Sequence, residues 1–252
     1  LIGLSDNLLL VKFVTAHHGT LQTLDTQSPA FSNSRKAFAL GEAAIDRLLP
    51  GQALPLGAVH EVLYRNYPTL PLFFPAFLAH RAAAAKAASS PGQSPLIVWA
   101  DPTHTFYPPA AQQLGIDLQH LYILRPRSEK DEIAMVGECM VCQAVAAVVA
   151  PCTTLTQLDA RRLQLAAERG GGIGILLRPA GKASATYAAA TRWLISPAPG
   201  ERTLQRWKLQ LLHGHAPGPD TTVYLEYCRE THTVHSSSKL AHRAPAPQKA
   251  IA

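Results

Sequence analysis

The chain alternates between two kinds of hydrophobic pattern. Leu96–Ala100, Val145–Ala150 and Ile173–Leu177 are continuous apolar runs of strand length, and Ala58–Leu63 and Leu121–Leu124 also read as strands. Between them lie segments of helical length: Pro71–Ala88, Pro108–Leu114, Glu129–Gln143 and Gln157–Arg169. Three of the four have a stop signal. Ser89-Ser-Pro-Gly92 closes the first, Gly115 the second and Gly170 the fourth. Pro75 falls near the first turn of its helix, where a missing N–H costs little. The third helix has an acidic first turn, as the helix dipole favours. Strands without a polar face are buried on both sides, and strands separated by helices predict right-handed βαβ units in a parallel sheet.

The pattern changes after Arg178. Tyr187–Ser196, Gln205–His213 and Thr221–Tyr227 read as strands joined by turns at Pro197-Ala-Pro-Gly200 and Ala216-Pro-Gly-Pro219. No helix separates them, so they are expected to pair antiparallel. The expected fold is α/β: a mostly parallel sheet flanked by helices, with an antiparallel C-terminal extension. A short helix over Glu42–Leu49, ended by Pro50-Gly51, precedes the first strand. Residues 1–36 carry little pattern and read as a weakly ordered arm, 37–228 as the core domain, and 229–252 as a basic, disordered tail.

Composition narrows the class. Of 252 residues, 47% are hydrophobic and 16% charged, enough for a sizeable core and too little charge for a disordered chain. No apolar run reaches the roughly 18 residues of a membrane span. The early run Leu8–Val14 is broken by Lys12 and lacks a small-residue cleavage site, so no signal peptide is expected. Four cysteines are too few for a disulfide scaffold at this length; reduced thiols in a cytoplasmic protein fit best. Cys139-Met-Val-Cys142 has metal-pair spacing but stands alone in a helical stretch, where buried cysteine is an ordinary small hydrophobe. His213 with His215, and His232 with His235, form at most a weak metal patch. The net charge is +6, and residues 173–252 hold ten basic and four acidic side chains. That excess suits a polyanion such as nucleic acid, or a tail kept basic for solubility.

A sheet of this order invites a search for a phosphate loop. Gly-x4-Gly-Lys-Ser/Thr works because glycines let a strand-to-helix turn aim backbone N–H groups at phosphate while lysine supplies charge. The chain has no match. Gly170-Gly-Gly-Ile-Gly174 follows a helix and precedes a strand, the reverse of the required order, and Gly181-Lys182 has Leu176 where the earlier glycine belongs; both read as turns. The slot between the first strand and its helix, Tyr64–Pro71, holds neither glycine nor lysine, and Pro68 and Pro71 remove two N–H groups. Arg65 is a lone cation there. No carboxylate ends the strand Val145–Ala150, and there is no Gly-x-Ser-x-Gly elbow. Asp101 does end the strand Leu96–Ala100. It is either an active-site carboxylate or a cap on the turn before Pro102.

Several collinear blocks resemble the RecA-like recombinase core, and the ImuA family in particular. They are Ala44–Val62, Val98–Pro109 continuing to Leu114–Leu118 and Leu121–Pro126, Leu158–Glu168 with Gly174–Pro179, and Trp207–Leu212 followed by Tyr224–Glu226. The resemblance covers roughly 40–228 and implies a RecA-like fold. It also locates the departures. The nucleotide loop would fall at a degenerate segment near Arg65, Asn66 and Thr69, its lysine and threonine slots near Leu70 and Pro71. The catalytic glutamate slot holds Thr103, and the metal-supporting aspartate is missing at Ala150–Cys152. With all three gone, no catalytic residue, nucleotide, cofactor or metal ligand is expected. The resemblance implies a non-catalytic accessory protein of the SOS response in error-prone translesion synthesis. Its implied partners are an ImuB-like Y-family protein, an alternative replicative-type DNA polymerase and RecA itself. Two alternatives remain: an active DNA-dependent ATPase, and a module that binds single-stranded DNA without nucleotide. For the latter, the resemblance points to the loop after Ile173–Arg178, with Arg178, Lys182 and Arg192 as phosphate contacts, or else as a solvated loop.

Overall fold

The computed structural model describes residues 12–14, 36–65, 70–182, 189–199, 204–219, 221–228, 230, 231 and 233–237. Its centre is five parallel strands in chain order: β4 (Ala58–Tyr64), β5 (Leu96–Ala100), β6 (Leu121–Leu124), β7 (Val145–Pro151) and β8 (Ile173–Pro179). Ahead of them stand β1 (Lys12–Val14) and a small antiparallel pair, β2 (Ala37–Phe38) with β3 (Leu54–Pro55). Behind them come β9 (Thr191–Ala198), β10 (Leu204–His213), β11 (Thr222–Cys228) and β12 (Thr233–Ser237). The main sheet has ten strands in the order β1-β6-β5-β7-β8-β4-β9-β10-β11-β12. It is parallel from β1 through β9 and antiparallel from β9 to β12. The class is α/β, a mostly parallel sheet flanked by helices with antiparallel C-terminal strands.

Helix placement follows from handedness. Helix α1 (Ala43–Asp46) precedes β4; α2 (Phe73–Ser89) and α3 (Pro108–Gln113) carry the chain outward from β4 to β5 to β6. Helices α4 (Glu129–Val141) and α5 (Gln157–Gly170) carry it back to β7 and β8. Right-handed crossovers that reverse direction must change face. Accordingly Phe74, Leu78 and Ala111 pack with Val62, Trp99 and Ile175 on one face. Val136, Leu163 and Ala167 pack with Val59, Val98 and Leu176 on the other.

Two parts of the sheet lie where the sequence suggested loose chain. Strand β1 falls within the arm and pairs with β6, its backbone extended alongside an apolar strand. Strand β12 falls within the tail and pairs with β11 from Tyr224↔Ser237 to Cys228↔Thr233. Strand β1 is only three residues long, and β12 is largely polar with one paired side, so neither gave a strand pattern. The expected start of β9 at Tyr187 lies outside the described residues. Both glycine-rich fragments are turns, as read. Gly170-Gly-Gly172 links α5 to β8, with Gly171 left-handed at φ +70°. A Cβ on Gly170 would stand 1.9 Å from the Met140 carbonyl oxygen, so the backbones of α4 and α5 meet where only hydrogen fits.

Polar clamps fix the start of β4. Gln164, buried on α5, accepts from Val59 N at 3.0 Å and donates from Nε2 to the Gly57 carbonyl at 3.3 Å. Asp46 accepts from Leu40 N at 2.8 Å and Gly41 N at 3.0 Å. His60, fully buried, joins β4 to β9. Trp193 Nε1 donates to Thr191 Oγ1 at 2.9 Å, and Thr191 Oγ1 lies 2.8 Å from His60 Nδ1. The Pro55 carbonyl lies 3.0 Å from His60 Nε2 and can only accept, so Nε2 carries the proton and the Thr191 hydroxyl donates to Nδ1. Burial pulls this imidazole from 6.5 down to about 4, against the raising effect of the Pro55 bond.

Two outcomes follow from this packing. Gly170→Ala lowers unfolding free energy by about 1–3 kcal/mol, the cost of overpacking, whereas Gly181→Ala, with open space around it, leaves the urea midpoint unchanged. The second concerns pH. The unfolded His60 takes up its proton near 6.5 and the folded one near 4, so the unfolded state binds more protons between those values. The stability from neutral His60 is complete above that window and falls as pH drops through it, by about 3 kcal/mol in all. Urea titrations at stepped pH show this slope in the native chain and a flatter one in His60→Gln.

Candidate functional site

The strand order places a switch point between β5 and β7, where the chain winds outward on one side and returns on the other. Ligands of open α/β sheets bind at such a point, beyond the carboxyl ends of the strands. A cavity of about 370 Å³ lies there. Its lining comes from the ends of β4 (Tyr64), β5 (Trp99), β7 (Pro151) and β8 (Leu177), and from the start of α4 (Ser128, Glu132). Arg127 stands exposed at the rim.

Asp101 is the buried polar centre of this cavity, 4% exposed. Its Oδ1 accepts from Thr105 N at 2.9 Å and Phe106 N at 3.2 Å, so it caps the turn. That turn needs holding, because His104 sits in the left-handed region at φ +56°. The cap brings Phe106 onto Trp99, with ring centroids 4.5 Å apart and 28° between planes. The other carboxylate oxygen, Oδ2, is buried with no hydrogen-bond partner among the described residues. Thr103, the slot of the expected catalytic glutamate, lines the cavity and its Oγ1 bonds Thr105 Oγ1 at 2.9 Å. Burial raises the Tyr64 phenol above its ordinary 10.0.

The start of α2 borders the same cavity through Leu70 and Leu72. Its backbone is largely committed. Leu72 N donates to the Leu70 carbonyl at 2.8 Å, Phe74 N to Pro71 at 3.3 Å and Ala76 N to Leu72 at 3.1 Å, while Pro71 and Pro75 have no N–H. Arg65 is exposed; Asn66 and Thr69 lie outside the described residues. At the end of β7, Cys152 N donates to the Leu177 carbonyl at 2.9 Å and its side chain is buried.

The three residues proposed for DNA phosphate occupy different environments. Arg178 does not face solvent. Its side chain is 1% exposed and its Nη1 lies 2.8 Å from Glu61 Oε1, itself 1% exposed. A guanidinium so enclosed has no surface to offer a phosphate, which corrects the expectation for this residue. Arg192, 14% exposed, puts Nε 2.6 Å from Glu61 Oε2. Glu61 thus stands between two arginines, one from each neighbouring strand. Lys182 closes a 3-10 turn directly after β8, and the loop beyond it, 183–188, lies outside the described residues. Elsewhere, Cys139 is half-buried and burial pushes its thiol up to about 11, while Cys142 is exposed. Among the described residues no group of three or more His, Cys, Asp or Glu could hold a metal ion.

The chain matches no protein-family model. Protein ImuA of Caulobacter vibrioides, from two strains, is 30% identical to it over 202 residues, covering 71% of this chain and 80% of the relative's length. The chain belongs to the ImuA family. The blocks that carry the family resemblance also carry the clamps: Asp46 and Glu61 in the first, Asp101 in the second, Gln164 and Arg178 in the third.

Glu61→Ala removes a buried carboxylate from beside Arg178 and destabilises the fold by about 3–5 kcal/mol. Glu61→Met with Arg178→Met loses less, because apolar side chains replace both enclosed charges. Chemical denaturation of the single and double variants measures the difference.

Proposed function

We propose that this chain is a non-catalytic, RecA-like accessory protein of the bacterial DNA-damage response. It works in the cytoplasm and supports error-prone translesion synthesis through contacts with an ImuB-like Y-family protein, an alternative replicative-type DNA polymerase and RecA. Membership of the ImuA family carries this reading. The architecture supports its non-catalytic part. Phosphoryl transfer depends on positioned amides, a lysine and metal-bearing carboxylates. Here the described start of α2 spends its amides on its own carbonyls, and the end of β7 offers Pro151 and Cys152. A scaffold of this kind presents a recombinase-like surface without nucleotide-gated assembly.

A second reading, direct contact with single-stranded DNA, draws on the ten basic side chains of the last third. With Arg178 and Arg192 turned to Glu61, that contact rests on Lys182 and its loop, and it would weaken steeply with salt.

Deleting the gene in its own host is expected to abolish ultraviolet-induced point mutation while sparing growth, with restoration by the native chain. Affinity capture followed by mass spectrometry is expected to identify a Y-family-like protein. In equilibrium dialysis, Mg-ATP shows no saturable binding in the micromolar range. Saturable ATP binding with phosphate release stimulated by single-stranded DNA would overturn the reading.

A further inference from the structure

We infer that the cavity at the carboxyl ends of the parallel strands is a binding site for an organic cation, a guanidinium or primary ammonium group on an apolar stem. The inference goes beyond the accessory role and stands apart from it. Its basis is the pairing of Asp101 with the surface around it. A carboxylate 4% exposed needs a donor for each oxygen, and Asp101 has donors for one. Oδ1 takes two backbone N–H groups, and Oδ2 takes none among the described residues.

The chemistry of the missing donor follows from the walls. The single basic residue among the described lining, Arg127, is at the exposed rim. The unpartnered oxygen of Asp101 therefore favours positive charge beside it and repels phosphate. An inorganic cation fits poorly, because hard metal ions take six or more oxygen ligands and the lining is largely apolar. Trp99 and Phe106 supply a stacked aromatic wall, and Leu72 and Leu177 supply aliphatic surface. A guanidinium stacks on aromatic faces while its edge donates to a carboxylate, and an ammonium on a methylene stem does the same with less area. The volume of about 370 Å³ holds such a group and its stem. Two sources share this chemistry: a free amine or guanidine, and an arginine side chain of a polypeptide.

Titration of the full-length protein followed by amide NMR separates them. The probes are agmatine, the blocked tripeptide acetyl-Ala-Arg-Ala-amide, its Gln counterpart, and Mg-ATP. Agmatine or the Arg peptide binds saturably and moves the amide signals of Thr105 and Phe106, which report on Asp101. Asp101→Asn keeps an oxygen for both amides but loses the charge, and weakens that binding about tenfold or more. Agmatine alone points to a small molecule; tighter binding of the Arg peptide points to a polypeptide partner. Either supports the site. The inference is overturned if the Gln peptide binds as well as the Arg peptide, if Thr105 and Phe106 do not respond, or if Asp101→Asn binds as tightly as the native chain. Should that variant fail to fold, the native shift pattern and the Gln control decide alone. Failure of both cations with no ATP binding sinks this site and leaves the accessory reading intact. Saturable Mg-ATP binding that moves these amides sinks both.

Discussion

The buried carboxylate of Glu61 holds the two halves of this molecule together. It lies in the middle of β4, bonded to Arg178 of β8 on one side and Arg192 of β9 on the other. Strand β8 belongs to the helix-covered parallel core, and β9 begins the antiparallel extension. Of the two arginines Arg192 is the less enclosed, 14% exposed against 1% for Arg178. Buried charges seldom add net stability over a well-packed apolar trio, but they permit few alternative registers. A slip of β9 by one residue would turn Arg192 to the opposite face and take one of its two arginines from Glu61.

Much of the fold was legible because hydrophobic period and chain punctuation agree. The five parallel strands and the helices between them lie within a few residues of their expected places, since continuous apolar runs have few alternatives to a two-sided buried strand. What escaped has a physical reason in each case. Strands β1 and β12 sit at the edges of the sheet, each with one paired side, the first only three residues long and the second largely polar. Arg178 looked like the opening of a basic loop because charge in a sequence carries no sign of burial. The signal that places it was a lone glutamate inside the apolar run of β4, which demands a cation nearby. Of the two readings of Asp101, the structure shows the turn cap, with Oδ1 accepting from Thr105 N and Phe106 N. The role of Trp99 and Phe106 in the cavity depends on a turn that only the folded backbone reveals.

Strand order and crossover hand fix a cleft beyond the strand ends whatever the side chains are. Affinity is then set by a handful of positions. Prolines at 71 and 75 take two N–H groups from the start of α2, and Asp101 adds a buried carboxylate to the lining.

Strand β4 enters the sheet first among the core strands and is completed late. Both its neighbours are distant in the chain: Glu61 meets Arg178 across 117 positions and His60 meets Thr191 across 131. On a ribosome, β4 must therefore wait with both edges unsatisfied until most of the protein has been made. Such long-range closure slows folding and leaves an apolar strand open to wrong partners in the meantime. A message cut short before β9 yields a sheet with one bare central edge, and such a fragment is a natural substrate for chaperones and proteases.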